Sequence, residues 1–351
     1  MLHYRPIDPA TLPRLEKCAT MTAASIKTTA LGLCSGGLDS ILSALVLRRQ
    51  GIRVHWVSFE TPFFSAARAR RAAAQTGIPL TVRDIGERYL PMLKNPNCGY
   101  GQHMNPCMDC HALMFRLAGG IMRTKGFDFL FSGEVLGQRP MSQTRPSLRY
   151  VEKHSGCEGY ILRPLSARLL PETIVEQKGL VDRTQLLDIS GRSRKRQIAL
   201  AAQFGVTDYP NPAGGCLLTD AGYCRRLKDL FDHQQDYTQN DLHLLKYGRH
   251  FRLKDHTRVI VGRTRNDNEM IHRHADGRRH LLLKMEDYPG PTVLLPADAA
   301  QGALFMGAAM CAGYSRAPSD TPVRVRVSAG KDRRTLTVVA VPPAEVKHLM
   351  I

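Results

Sequence analysis

The sequence predicts an α/β protein with a doubly wound parallel-sheet domain followed by a smaller α+β domain. Three observations lead there. Short apolar runs alternate with helix-period stretches from about 29 to 132. The turn Ser35-Gly36-Gly37-Leu38-Asp39-Ser40 joins the first such run to the first such helix. After about Asp236 the pattern changes to closely spaced strands, and 351 residues leave room for two domains.

Thr29–Cys34 reads as a buried strand. Leu38–Gln50 reads as a helix, because Leu38, Ile41, Leu42, Leu45 and Val46 fall at i, i+3, i+4, i+7 and i+8. Arg53–Phe59 is the second strand, Ser65–Thr76 a helix closed by Gly77, and Leu80–Ile85 the third strand. A helix over His111–Lys125 precedes a fourth strand over Phe127–Phe131. Residues 155–215 are more irregular, punctuated by Pro164, Pro171, Pro210 and Pro212, with helices expected near Ser193–Phe204 and Ala221–His233. Further on, Arg258–Gly262, His280–Lys284, Thr292–Leu295, Val323–Ser328 and Thr335–Val341 read as strands, with one helix near Ala299–Ala312. The expected division is an N-terminal extension over 1–28, a first domain over 29–235 and a second over 236–351.

Composition is that of a globular protein, 43% hydrophobic and 23% charged. No apolar run approaches the roughly 20 residues of a membrane-spanning helix. Met1–Lys27 carries prolines and charges where a secretory peptide needs an apolar stretch, so the expected location is cytoplasmic, away from membranes. The formal charge of +18 favours a polyanionic partner such as nucleic acid. The excess is spread along the chain: residues 241–351 hold 18 Lys and Arg against 11 Asp and Glu. Nine cysteines, an odd number, do not read as a disulfide framework and are taken as reduced.

The turn after the first strand has a direct physical reading. Two glycines let the backbone approach a ligand, and the following helix offers free N–H groups and its positive dipole end to an anion. Ser35 and Ser40 add hydroxyls, and Asp39 can hold Mg²⁺ or orient a phosphate. The Gly-x-x-x-x-Gly-Lys-Ser/Thr pattern of a Walker loop is not present.

The complete string resembles the PP-loop of the ATP pyrophosphatases, enzymes of adenine nucleotide α-hydrolase-like fold that cleave ATP between its α and β phosphates. The resemblance implies a nucleotide site at Ser35, Gly36, Gly37, Asp39 and Ser40, with adenine near Ser58 and Phe59. Ser132-Gly133-Glu134-Val135-Leu136-Gly137-Gln138, followed by Met141-Ser142-Gln143 and Arg163-Pro164-Leu165, is similar to the corresponding stretch of the tRNA 4-thiouridine synthetase ThiI. It adds Gly133 and Gln138 to the ATP site. The likeness covers roughly 29–220, and the THUMP domain with which those synthetases bind tRNA is not legible.

Cys107-Met108-Asp109-Cys110 lies at a helix N-terminus, where the dipole favours thiolates. A third cysteine, Cys216, ends the loop Asn211-Pro212-Ala213-Gly214-Gly215. The residues alone leave a redox or persulfide pair, metal ligation and structural cysteines open; a zinc ribbon would need a second Cys-x-x-Cys. Several thiolating PP-loop enzymes hold a [4Fe-4S] cluster with such a trio, and that resemblance implies cluster ligation by Cys107, Cys110 and Cys216. Asn105-Pro106 and Cys110 also resemble the 2-thiouridylase MnmA, whose motif has Asp where Cys107 stands. Cys98 and Cys157 lie in loops without motif support, and Cys18, Cys34, Cys224 and Cys311 read as structural.

Arg192, Arg194, Lys195 and Arg196 form the densest basic cluster and are expected to meet RNA phosphates. The segment 248–295, with Val261-Gly262-Arg263 and Lys284 to Gly290, resembles the RNA-binding NFACT-R domain. Together these resemblances imply an ATP-dependent tRNA sulfurtransferase using ATP, Mg²⁺ and a [4Fe-4S] cluster, with 4-thiouridine favoured over 2-thiouridine. Its partners would be tRNA and a sulfur donor (sulfide or a persulfide carrier), and a homodimer is compatible with the sequence. The alternatives are a persulfide-dependent thiolase, sulfur insertion into a small metabolite, and a non-catalytic RNA-binding factor.

Overall fold

The computed structural model describes residues 28–211 and 215–351. The expected N-terminal extension, with Cys18, lies outside the described residues except for Thr28, as do Pro212, Ala213 and Gly214.

The first domain runs β1 (Thr29–Leu33), α1 (Leu38–Arg49), β2 (Arg53–Glu60), α2 (Ala67–Thr76), β3 (Leu80–Asp84), α3 (Gly86–Lys94), α4 (Cys107–Lys125), β4 (Phe129–Ser132), α5 (Arg145–Ser155), β5 (Ile161–Leu162), α6 (Ile174–Gln177), α7 (Lys195–Gln203) and α8 (Ala221–His233). Its five strands pair in the order β3-β2-β1-β4-β5, all parallel. Because successive side chains of a strand point to opposite faces, each strand feeds two cores. Ala30, Trp56 and Phe131 pack with Ile41 and Leu42 of α1 and Ala69 of α2. Their neighbours Leu31, Val57 and Leu130 pack with Tyr89 of α3, Phe115 of α4 and Leu227 of α8 on the other side. Chain direction across the sheet reverses between β1 and β4, the place where doubly wound sheets open a ligand crevice at their C-terminal edge.

A connecting helix, α9 (Gln239–Leu244), leads into β6 (Arg249–Arg252), β7 (Arg258–Val261), α10 (Arg265–His274), β8 (His280–Met285), β9 (Val293–Pro296), α11 (Gln301–Gly313), β10 (Val323–Ala329), β11 (Asp332–Val338) and α12 (Pro343–Val346). Here the six strands are antiparallel in the order β11-β10-β8-β9-β7-β6. Leu304, Ala308 and Cys311 of α11 cover one face, and Ile271 of α10 meets Ile260 and Leu294 on the other. α9 belongs to both domains. Leu242 lies in the first domain's core while Leu244 joins Ile260, and the buried Asp241 carboxylate sits 3.4 Å from Arg258 and 3.3 Å from His280.

The class and layers agree with the expectation, and several boundaries do not. α4 begins at Cys107 rather than His111: the Cys110 N–H donates to the Pro106 carbonyl at 2.8 Å, closing the first turn around both cysteines. α5 replaces part of what reads as irregular chain. Its Thr144 cap accepts from Ser147 N–H at 3.3 Å, and only Leu148 and Val151 carry its apolar face, too few to register as a period. α3, α9, α10, β5 and β6 likewise stand where the sequence reading places no element. β11 starts three residues earlier than expected because the hairpin at Gly330 pairs Ala329 with Asp332.

Candidate functional site

The six residues after β1 form the crevice floor. Gly36 has φ +71, and an ideal Cβ there would lie 2.2 Å from the Arg68 backbone, so only glycine lets the turn pass under α2. Gly37 is the extended N-cap of α1 and no side chain caps the helix, which leaves its first-turn N–H groups facing the crevice. Ser40 Oγ donates to the Gly37 carbonyl at 2.8 Å, and Ser35 Oγ accepts from Gly37 N–H at 3.3 Å. From the far wall, Gly133 follows β4 so closely that a Cβ would sit 2.4 Å from the Asp39 backbone. A cavity of about 300 Å³ opens beside Gly36, lined by Ile41, Arg68, Arg71, Gln75 and Tyr209.

Asp39 is held rather than loose. Gln138 Nε2 donates to its Oδ2 at 2.9 Å, and Gln197 Nε2 reaches Gln138 Oε1 at 3.5 Å. Burial pushes the Asp39 carboxyl above the usual carboxylate range; Gln138, Arg194 and Arg139 pull the other way. The loop carrying Gln138 is stitched down by Gly137 N–H to the Gln143 carbonyl (2.7 Å), Leu136 N–H to Ser166 Oγ (3.0 Å) and Gly191 N–H to the Leu136 carbonyl (2.8 Å). Glu134 anchors its base. Its buried carboxylate accepts from Arg163 Nε at 3.0 Å and Ser132 Oγ at 3.1 Å, and lies 2.8 Å from His111 Nδ1. Burial alone would raise its pKa; the Arg163 charge and His111 overcome that and hold it down at about 2.

Cys107, Cys110 and Cys216 come together at the same edge of the sheet. Asn105 Nδ2 points at Cys107 Sγ from 3.4 Å, and the Cys216 segment is pinned where Leu217 N–H donates to the Phe63 carbonyl at 2.9 Å. Phe63, Tyr89 and Tyr223 are buried in the same core cluster as Cys110, with Phe63–Tyr89 centroids 5.7 Å apart. Burial pushes the Cys110 thiol well up, Tyr89 lowers it by hydrogen bonding, and the neighbouring Cys216 and Cys107 raise it further. Burial likewise lifts Cys216 to about 11, with Cys107 adding to the rise and Arg139 opposing it. With their pKa values raised by burial, Cys110 and Cys216 stay protonated at neutral pH unless a cationic group compensates them.

The two sites are neighbours. The Arg68 backbone lies against Gly36, and its guanidinium would lie 3.6 Å from a Cβ on Gly215, next to Cys216. Arg139 acts electrostatically on both Asp39 and Cys216. Among the described residues no three His, Cys, Asp or Glu side chains converge for a single metal ion. Thiols set among apolar and aromatic side chains are soft donors, in chemistry if not in spacing compatible with a soft group larger than a single ion.

Other candidates sit elsewhere. Phe59 is buried with Phe63, Ile85 and Tyr89, which leaves its ring no face for a ligand. Arg192 and Lys195 are exposed, Arg196 pairs with Asp188, and Arg194 turns inward beside Asp39. Cys98 stands with Tyr150 and Asp109, whose carboxylate accepts from Cys98 N–H and Tyr150 Oη at 2.8 Å each. Cys157 is buried with its Sγ 3.7 Å from the Phe115 carbonyl, and Cys34, Cys224 and Cys311 are buried as expected. Sequence reasoning missed Tyr89, Arg139, His111 and Gln197. Only Gln197 left a signal, as a polar residue on the face of α7 that buries Leu200 and Ala201.

A phosphate-type turn at the switch point of a parallel sheet, beside a three-cysteine cluster, defines a PP-loop-type α/β domain. Comparison with known proteins agrees: residues 25–177 match the family model described as thiamine biosynthesis protein (ThiI), and residues 248–350 the NFACT protein RNA binding domain. The chain is a ThiI/MnmA-like PP-loop protein with a C-terminal domain of the NFACT RNA-binding type. The tRNA-specific 2-thiouridylase MnmA 1 of Syntrophus aciditrophicus (strain SB) is 27% identical over 218 residues, 56% of this chain and 55% of that protein. The tRNA-specific 2-thiouridylase MnmA of Desulforudis audaxviator (strain MP104C) is 36% identical over 87 residues, 24% of this chain and 25% of that protein. The chain thus spans about half the length of the first relative and a quarter of the second. Among solved structures, a 4-thiouridine synthetase in complex with RNA and ATP is 20% identical, with a TM-score of 0.33 over 51% of this chain and 52% of the other. No helix among the described residues is long and apolar enough to cross a membrane.

Proposed function

We propose that this protein is an ATP-dependent tRNA sulfurtransferase acting in the cytoplasm. The observation that carries the reading is the adjacency of two chemistries, the glycine turn under α1 and the Cys107–Cys110–Cys216 pocket, joined by Arg68 and Arg139. In the first half-reaction a uridine carbonyl oxygen attacks the ATP α-phosphate, forming an O–P bond as pyrophosphate leaves. The α1 N–H groups and Asp39 with Mg²⁺ would hold the phosphates in line. In the second, sulfur attacks the same carbon and AMP departs carrying the uridine oxygen, so a poor leaving group has become a good one.

Cys107, Cys110 and Cys216 would hold a [4Fe-4S] cluster through three thiolates, whose remaining iron would offer a place for sulfide. What the chain itself would supply is buried aromatic surroundings, a hydrogen bond from Tyr89 towards Cys110, and the Arg139 charge, which acts on both Cys216 and Asp39. A persulfide on Cys216 resolved by Cys110 is the second reading, favoured by the mutual electrostatic influence of these two thiols. Brown, iron-containing protein from an anaerobic preparation supports the cluster; full thiolation by iron-free protein excludes it. The product proposed first is 4-thiouridine, on the strength of the ThiI match over 25–177. Exposed Arg192 and Lys195 and the basic C-terminal domain would carry the tRNA, with affinity falling steeply as salt rises.

Cys110→Ser and Cys216→Ser are expected to separate the half-reactions. Each should lose thiolation by about 100-fold or more while the adenylation step, followed by tRNA-dependent pyrophosphate release, stays within about threefold of the parent. Thiolation that survives both changes would remove the pocket from the mechanism.

A further inference from the structure

Buried polar atoms without a partner collect around the glycine turn. Among the described residues, Asp39 Oδ1, Arg194 Nε and Gln197 Oε1 are all buried and unbonded. They belong to one constellation: Gln138 bridges Asp39 at 2.9 Å and Gln197 at 3.5 Å, and the Arg194 charge acts directly on Asp39. Gln197 is 0% exposed. Burying an amide oxygen with no donor is costly unless something else satisfies it.

The chemistry of the unmet needs is specific. Two oxygens lacking donors call for a hard cation or its bound water, and a guanidinium Nε lacking an acceptor calls for an anion. A magnesium polyphosphate supplies both at once. α7 is nine residues long and no side chain caps it; Gln197 of its first turn reaches Gln138, which in turn donates to Asp39 in the first turn of α1.

We propose that the first turn of α7 is the second half of the ATP site. Asp39 Oδ1 and Gln197 Oε1 face the Mg²⁺ that accompanies the triphosphate, and Arg194 holds the phosphates that leave as pyrophosphate. This assigns to the nucleotide a residue that composition alone groups with an RNA-binding cluster. It rests on the reading of Ser35–Ser40 as an ATP site, though not on sulfur chemistry or on tRNA as acceptor.

The test is equilibrium binding of α,β-methylene-ATP, which is not cleaved between α and β, with Mn²⁺ as the metal. Arg194→Ala should weaken α,β-methylene-ATP about 10- to 100-fold and change AMP affinity by less than about threefold, since AMP lacks the phosphates in question. Gln197→Met, which keeps the volume and removes the oxygen, should raise the Mn²⁺ needed for half-maximal binding by about tenfold. Thermal melting checks that each variant is folded, and should Gln197→Met not fold, Arg194→Ala decides alone. Unchanged α,β-methylene-ATP affinity in Arg194→Ala, with weakened tRNA binding, would give the turn to RNA and overturn the proposal. Equal loss of AMP and α,β-methylene-ATP would overturn it too. A protein that binds nucleotide as described yet thiolates no tRNA would refute the functional reading and leave this one standing.

Discussion

Asp39→Asn is expected to lower tRNA-dependent release of AMP and pyrophosphate by about 100- to 1,000-fold, the effect typical of removing one preorganised electrostatic group. The substitution keeps the shape and a hydrogen-bonding partner for Gln138, and removes only the charge proposed to face the metal and phosphates. The same change should not weaken the fold. Burial raises the Asp39 pKa, so ionising it at neutral pH opposes folding, and the variant should melt at or above the parent temperature. The raised pKa also sets the acid limb of activity. As pH falls, the parent should lose its carboxylate, and hence pyrophosphate release, at a higher pH than an ordinary aspartate would. A variant that loses activity together with its thermal midpoint would show Asp39 to be structural instead.

The second large effect is on stability. Glu134→Ala leaves Arg163, itself 3% exposed, with Glu152 as its one remaining paired carboxylate among the described residues and the Leu148 carbonyl at 3.4 Å, at the foot of the loop that carries Gln138. Breaking a buried pair by removing one partner costs about 3–5 kcal/mol. Glu134→Gln should cost less, because an amide keeps one acceptor for Arg163 Nε. The pH dependence has a definite sign. The folded pKa of about 2 lies below that of an unfolded glutamate, so this contribution is present above the ordinary carboxylate range and is lost as pH falls towards 2. Urea denaturation at neutral and acidic pH checks both. The gap between parent and Glu134→Ala should shrink on acidification, and a gap independent of pH would contradict the pairing.

How far the sequence carries the account depends on the kind of signal each part leaves. The parallel domain was legible because its strands are buried on both faces and α1 repeats its apolar residues at helical spacing over three turns. The glycine turn was legible because a Cβ on Gly36 or Gly133 would lie within 2.4 Å of neighbouring backbone, a constraint that allows little else. Elements with a weak apolar pattern were not. α5 has two apolar anchors among charges, and β5 is two residues held by a neighbouring strand.

The site divided in the same way. Cys107 and Cys110 announce themselves by spacing, and their meeting with Cys216 follows from the fold, since more than a hundred residues separate them. Arg194 shows where local reading ends. It stands in sequence among Arg192, Lys195 and Arg196, and tertiary structure alone turns it towards Asp39 while all three of these neighbours are exposed. Tyr89 and Arg139 are invisible to motif reasoning, because what makes them relevant is proximity to sulfur.

The central claim is that this chain moves sulfur onto tRNA at the expense of ATP. The most direct measurement is nucleoside mass spectrometry of unmodified tRNA after anaerobic incubation with the full chain, Mg·ATP and isotopically heavy sulfide. The account predicts a heavy thiouridine that requires ATP and disappears with Asp39→Asn and with Cys216→Ser, with AMP formed in step with it. AMP and pyrophosphate released without any thiolated nucleoside, or tRNA bound without ATP cleavage, would contradict it.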